Sequence, residues 1–336
     1  MRSARRLALG ASLLASLAIV GTTGGGAIVA QDGPTIVVGS DGFYESQVVA
    51  EIWAQALEAE DFQVDRSGLA IGARPARVQA FESGQIDLVP EYVGFGLEFF
   101  TKAADAAPEV AAIEVSGNAE TDAQSLQQVL DLRGVEATVL GISAGQDTNA
   151  AVVRPDTAEQ LSLSSMSDLA AVQDELRWGL PPECEANPAC AGALETYGVS
   201  FPPASLQPLP ACGAEIAGAL EGNAIDVAWL CSTQPIIAQN GWIVLEDDLE
   251  TQPPGNLVPI IRNEAAAQVD GGAETVAAIL DPISEQLTTD VLTELGVRIA
   301  VEQEDIEDVA ADFLASLDMS DEEMSDEEMA EEEPEE

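Results

Sequence analysis

From Thr35 to Leu317, short β-branched runs alternate with segments whose apolar residues recur at helical spacing. That alternation constrains the fold more than any other feature of the chain. Strands are predicted at Thr35–Val38, Phe62–Val64, Ile86–Val89, Ala137–Gly141 and Ala150–Val153, then at Arg177–Gly179, Ile225–Leu230, Trp242–Leu245 and Leu257–Ile261. Between them, helices are predicted at Glu45–Glu58, Val78–Ser83, Tyr92–Lys102, Gln124–Leu132, Ala191–Tyr197, Ala214–Glu221 and Thr233–Asn240. Glu274–Leu295 reads as two helices parted near Pro282, and Asp305–Leu317 as another. Strands alternating with helices predict an α/β protein with parallel sheets covered on both faces. The 336 residues exceed what one hydrophobic core spans, so two lobes with a ligand cleft between them are expected.

Charge and composition narrow the function. Sixty acids face twelve Lys plus Arg, a net charge of −48. Such a surface repels phosphate backbones and anionic headgroups, so neither nucleic acid nor a membrane surface is expected as partner. It suits high salt, where ions screen the self-repulsion. The chain has no histidine, which removes Ser-His-Asp and Cys-His catalysis and most catalytic zinc sites. No enzyme activity and no cofactor are expected; the competing reading, a nucleophilic Cys212 or Cys231, would lack a histidine to activate it.

The N-terminus reads as an export signal. Arg2, Arg5 and Arg6 precede the apolar run Leu7–Val20, and Ile28-Val29-Ala30 offers a cleavage site, so residues 1–30 are expected to be removed. No cysteine precedes Cys184, which argues against lipid attachment at an N-terminal cysteine. At the other end, residues 318–336 repeat Met-Ser-Asp-Glu-Glu and finish in glutamates, an acidic tail expected to be disordered. Four cysteines in an exported chain suggest disulfides. Three pairings are open, of which Cys184 with Cys190 and Cys212 with Cys231 is preferred.

Ligands of α/β sheets collect where strands end and helices begin. Three such exits carry unusual residues. Gly39-Ser40-Asp41-Gly42-Phe43-Tyr44-Glu45-Ser46 sets two aromatics in a turn. Asp87-Leu88-Val89-Pro90-Glu91-Tyr92-Val93-Gly94-Phe95 leads a strand into two more. Gln146-Asp147-Thr148-Asn149 crowds polar groups before an apolar strand, and those groups need partners. Aromatics are only 4 % of the chain, and stacking a quaternary ammonium requires aromatic faces.

The segment IVVGSDGFYESQVVAEIWAQALEAEDFQV resembles the opening of the osmoprotectant (glycine betaine, choline, carnitine) substrate-binding proteins of ABC importers, which run G-S-K-N-F-T-E-Q before a helix. SGQIDLVPEYVGFGL is similar to the family's G-E-I-D-L-Y-P-E-Y-T-G-T-A-L. QDTNAAVV, GLPPECEANPACAGALETYGV, IDVAWLCSTQPIIAQNGWIVLEDD and PPGNLVPIIR continue the likeness in order, over about residues 34–315.

The resemblance implies a two-lobed periplasmic-binding fold of type II with two crossover hinges: one lobe from 34–145 and 255–317, the other from 146–254. It implies an extracytoplasmic, monomeric receptor that closes on a betaine- or choline-type solute and docks on a membrane permease. Family members hold the ammonium in a tyrosine cage. Tyr92 matches one cage tyrosine, and Asp147 and Thr148 match a polar pair on the crossover. Asn149 and Cys231, the latter just before Ser232 and Thr233, stand where cage tyrosines are usual, and Ile216 replaces a third. A carboxylate-binding arginine falls near Asn187, and the family's lysine and glutamine in the opening turn become Asp41 and Ser46. Phe43, Tyr44, Phe95 and Trp229 are the aromatics available to rebuild a cage, with Trp229 equally a core candidate. The alternative is the same fold with another small cationic or zwitterionic solute, an amino acid or a polyamine, for which Asp41, Glu45 and Asp147 are suited.

Overall fold

The computed structural model describes residues 35–182 and 184–317; the predicted export signal and acidic tail lie outside the described residues. Among the described residues, ten strands form two five-stranded sheets. The first contains β1 (Thr35–Gly39), β2 (Gln63–Gly68), β3 (Leu88–Tyr92), β4 (Ala137–Val139) and β10 (Leu257–Arg262), in the order β2-β1-β3-β10-β4. The second contains β5 (Asn149–Val153), β6 (Trp178–Leu180), β7 (Leu206–Pro208), β8 (Val227–Cys231) and β9 (Ile243–Val244), in the order β7-β6-β8-β5-β9. The chain passes from one sheet to the other between β4 and β5 and returns between β9 and β10.

Both sheets are mixed, which corrects the expectation of parallel sheets. β10 runs antiparallel to β3 and β4, and β5 runs antiparallel to β8 and β9. These are the first strands after each crossover. They enter their sheet from the end at which its other strands leave, so their direction is reversed. Pro90 of β3 lies opposite Pro259 of β10, and the Pro259 carbonyl accepts from Leu140 N on the other side. The missing proline donors thus fall where this strand pair needs no hydrogen bond.

Helices cover the sheets because their apolar faces have nowhere else to go. α1 (Tyr44–Ala59) buries Val48, Val49, Ile52, Trp53 and Leu57 against β1 and β3. α2 (Arg74–Glu82) and α3 (Val93–Thr101) close the opposite face with Val78, Phe81, Leu97 and Phe100. The second sheet has its own core around Trp178, Trp229 and Leu194. The expected break near Pro282 does not occur there. Helix Ala273–Gln286 runs through Pro282, and the next begins at Thr289, capped by the Thr288 hydroxyl, which accepts from Val291 N. Loss of one backbone donor is tolerated because Val276, Leu280 and Ser284 on either side of the proline are buried.

The disulfides are Cys184–Cys190 and Cys212–Cys231. The second ties the end of β8 to the loop preceding helix Ala214–Glu221. Closing its 19-residue separation removes about 3 kcal/mol of unfolded-chain entropy, and the 6-residue separation of the first about 2 kcal/mol. Denaturant unfolding should therefore show the paired Cys212→Ser, Cys231→Ser variant losing more stability than the paired Cys184→Ser, Cys190→Ser variant; the reverse order would contradict this ranking.

Candidate functional site

The two crossovers hydrogen-bond to each other. Asp147 N donates to Gly255 O at 3.0 Å, and Gln146 and Asn256 form an antiparallel bridge. Position 255 has no room for a side chain, since a Cβ there would overlap the Asp147 carbonyl. The second crossover is also held by the start of α3, where Val93 N donates to Asn256 O and Gly94 N to Pro254 O. The exit of β3, which carries Tyr92, is thereby fixed against both crossovers.

Around this junction lies a buried cluster drawn from both sheets. Glu45, in the first turn of α1, is 2 % exposed, and Asp147 is 7 % exposed. The Tyr92 hydroxyl donates to Glu45 Oε1 at 2.6 Å, and the Thr233 hydroxyl donates to Glu45 Oε2 at 2.6 Å. Tyr92 ends β3 of the first sheet; Thr233 follows β8 of the second. Asp147 Oδ1 accepts from the Ser232 hydroxyl and from Thr233 N, each at 3.1 Å. Ser232 Oγ accepts from Thr148 N, and Ser232 N donates to Thr148 O.

Among the described residues, no cation forms an ion pair with these two acids. Every described arginine is paired with some other carboxylate. Burial pushes Glu45 up to about 8, with the charge of Asp147 adding to it, and the hydroxyls of Thr233 and Tyr92 only partly oppose the shift. Burial likewise raises Asp147. Tyr92 and Tyr44 are raised by burial and then by the negative field of Glu45 and Asp147, so both keep their protons. The Phe43 ring lies 6.1 Å from that of Tyr92 and is 44 % exposed, which leaves an aromatic face at the rim.

A second buried cluster holds the strand exits in place. Arg77 of α2 donates to Asp41 Oδ1 at 3.0 Å and to Glu91 Oε2 at 2.6 Å, with all three side chains almost fully enclosed. Arg74 reaches Glu91 Oε1 at 3.1 Å, and the same oxygen accepts from Tyr92 N at 2.8 Å. Burial alone would raise Glu91, but the charges of Arg74 and Arg77 outweigh it and lower Glu91 to about 2. A buried carboxylate pinned in this way fixes the backbone beside it, which is that of Tyr92.

Residues 34–316 match the family described as the substrate-binding domain of ABC-type glycine betaine transport systems. The chain belongs to this family. It is 27 % identical over 290 residues to a glycine-betaine-binding protein of Pseudomonas aeruginosa, covering 83 % of this chain and 87 % of that protein. The structure of apo YehZ from Escherichia coli superposes with a TM-score of 0.63 at 25 % identity, over 84 % of this chain and 98 % of that one. A glycine betaine/carnitine/choline ABC transporter structure superposes with a TM-score of 0.67 at 20 % identity, again over 84 % and 98 %. As a member of this family, the chain has the two-lobed type II binding fold and is an extracytoplasmic substrate-binding receptor of an ABC importer, not an enzyme.

The structure brings together some of the residues singled out in the sequence. Tyr92, Asp147, Thr148 and Ser232 meet at the junction, with Phe43 at its rim. Tyr44 is half-buried there, its ring placed against Gly296 and close to Pro235. Asn149 pairs with Cys231 across β5 and β8, and its amide donates to Gln252 Oε1 at 3.4 Å. Others face elsewhere. Ser46 is fully buried, with its hydroxyl accepting from Asp41 N. Cys231 has its sulfur committed to Cys212, Trp229 and Ile216 are core of the second sheet, and Phe95 is half-buried against the core of the first.

Glu45 was legible only as an acid suited to a cation, and Arg77, Glu91 and Thr233 had no assigned role. A signal for Arg77 existed: it is one of few bases, set among apolar residues of a short helix. Arg77→Met should cost about 3–5 kcal/mol, because Asp41 and Glu91 would remain buried without their shared cation. Arg74→Met, at a half-buried position, should cost clearly less in the same denaturation series. Equal costs would contradict this assignment.

Proposed function

We propose that this receptor binds a small quaternary-ammonium solute of the glycine betaine or choline type at the junction of its lobes and delivers it to a membrane permease. The observation carrying this reading is the pair Glu45 and Asp147, buried beside the aromatic faces of Tyr92 and Phe43 with no ion-pair partner among the described residues. A quaternary ammonium answers both needs. It has no proton to donate and is weakly hydrated, so aromatic faces and negative field recognise it with little desolvation cost. A desolvated cation–π contact contributes about 2 kcal/mol. Thr148, Asn149 and Ser232, all half-buried at the same junction, are the polar groups available to the rest of the solute.

The relative from Pseudomonas aeruginosa is named for glycine betaine, which fits the same ligand class. Action as a monomer, retention without an N-terminal lipid and indifference to nucleic acid belong to this reading, the last because of the −48 net charge.

Calorimetric titration with choline, glycine betaine, carnitine and ectoine in molar salt tests it. At least one quaternary ammonium should bind, and Tyr92→Ala should weaken it by roughly tenfold or more, the equivalent of about 1.4 kcal/mol. Tyr92→Phe, which keeps the ring, should lose less. Silence toward all four solutes, with binding of a polyamine or an amino acid instead, would overturn the ligand class.

A further inference from the structure

The buried carboxylate of Glu45 spans the two sheets. One of its oxygens takes the Tyr92 hydroxyl from the first sheet, the other the Thr233 hydroxyl from the second. Thr233 N and Ser232 are in turn bound to Asp147 on the first crossover. Moving the lobes apart would therefore separate Thr233 from Glu45 and admit water to a carboxylate now enclosed. We propose that Glu45 is a proton-linked clasp: the lobes close on its protonated form, whose O–H donates to the Thr233 hydroxyl oxygen while the other oxygen keeps the Tyr92 bond, and deprotonation favours opening. This rests on the reading above that the lobes open and close around a solute.

The surroundings of Glu45 favour a proton. The titratable groups facing it are Asp147 from the crossover, Tyr92 from β3 and Tyr44 from α1 itself, none of which supplies positive charge near neutral pH. Asp41, in the turn before α1, is held by Arg77. Of the other elements packed on α1, β2 brings Arg66, which is committed to Glu51 and Glu58. Helices Ala273–Gln286 and Thr289–Gly296 bring acids only, and Arg298 beyond them is paired with Glu304 and Asp312. The helix Pro235–Asn240, next to Thr233, carries no ionisable group.

The sign follows from linkage. Enclosure raises Glu45 from its ordinary 4.5 to about 8, so the closed form holds an extra proton between those values. Closure is favoured below that window, and the advantage is lost as pH rises through it, by up to tenfold in the closed-to-open ratio per pH unit. A cationic solute seated by the pair would supply the positive charge in place of the proton, so solute can close the lobes where pH alone no longer does.

The test uses the full chain with spin labels on Ile71→Cys and Val244→Cys, which are 36 % and 41 % exposed and lie with different sheets. Inter-lobe distances are measured by pulsed electron resonance at pH 5.5, 7 and 8.5, without solute, at fixed salt. The short-distance population relative to the long one should fall roughly tenfold or more across this series. Glu45→Gln should diminish the pH response, leaving only the part that Asp147 carries. Thr233→Val, which removes the cross-lobe bond but leaves Glu45, should lower the closed population at pH 5.5 and serves if the glutamine variant does not fold. A native distribution unchanged by pH, or an undiminished response in Glu45→Gln, would overturn the clasp. Choline or glycine betaine added at pH 8.5 separates the two readings. Shortening by solute without a pH response sinks the clasp alone. A pH response with no effect of any quaternary ammonium keeps the clasp and sinks the ligand class.

Discussion

The pairing of the two crossovers is the constraint on which the rest depends. Asp147 and Gly255 meet backbone to backbone, at a spacing only glycine allows. That contact ties the crossovers together just before β5 and β10, the strands that run antiparallel to their neighbours. It also places Asp147 where the exits of β3 and β8 converge. A polar crossover buried at such a junction must find partners within the protein, and Ser232, Thr233 and Asn256 supply them.

Electrostatics then divides the acids near the junction into two kinds. Asp41 and Glu91 enclose Arg77 and act as scaffold, since their charge is neutralised and their geometry is fixed by charge-assisted bonds. Glu45 and Asp147 share only hydroxyls and a backbone amide. In a chain with sixty acids and twelve bases, surface carboxylates are solvated and mean little individually. A buried pair left without a base is different, because enclosing like charges is costly unless a proton or a cation resolves it. A receptor for ammonium solutes has a use for that unresolved charge, and the family to which the chain belongs is defined by such a transport system.

Much of this was legible in the sequence. Periodicity placed most strands and helices within a few residues, because β-branched runs and amphipathic faces are local signals. Strand direction was not legible, since it depends on how the chain re-enters each sheet after a crossover. The helix through Pro282 is not legible locally, because burial of Val276, Leu280 and Ser284 overrides one missing donor and burial depends on the whole fold. The strand exits marked by aromatics led to Tyr92 and Phe43, but residue type could not separate Phe43, exposed at the rim, from Trp229, sealed in the core. The role of Glu45 is not legible locally, because it depends on Thr233, 188 residues away in sequence.

The proposed seat of the quaternary ammonium is the lobe junction beside Tyr92, facing Glu45 and Asp147. A crystal structure of the protein grown with choline or glycine betaine tests it most directly. The ammonium nitrogen is predicted within about 6 Å of the Tyr92 ring centroid, on the side facing the two carboxylates. A solute bound away from Tyr92, or a carboxylate group occupying the place of the ammonium next to Glu45, would contradict it.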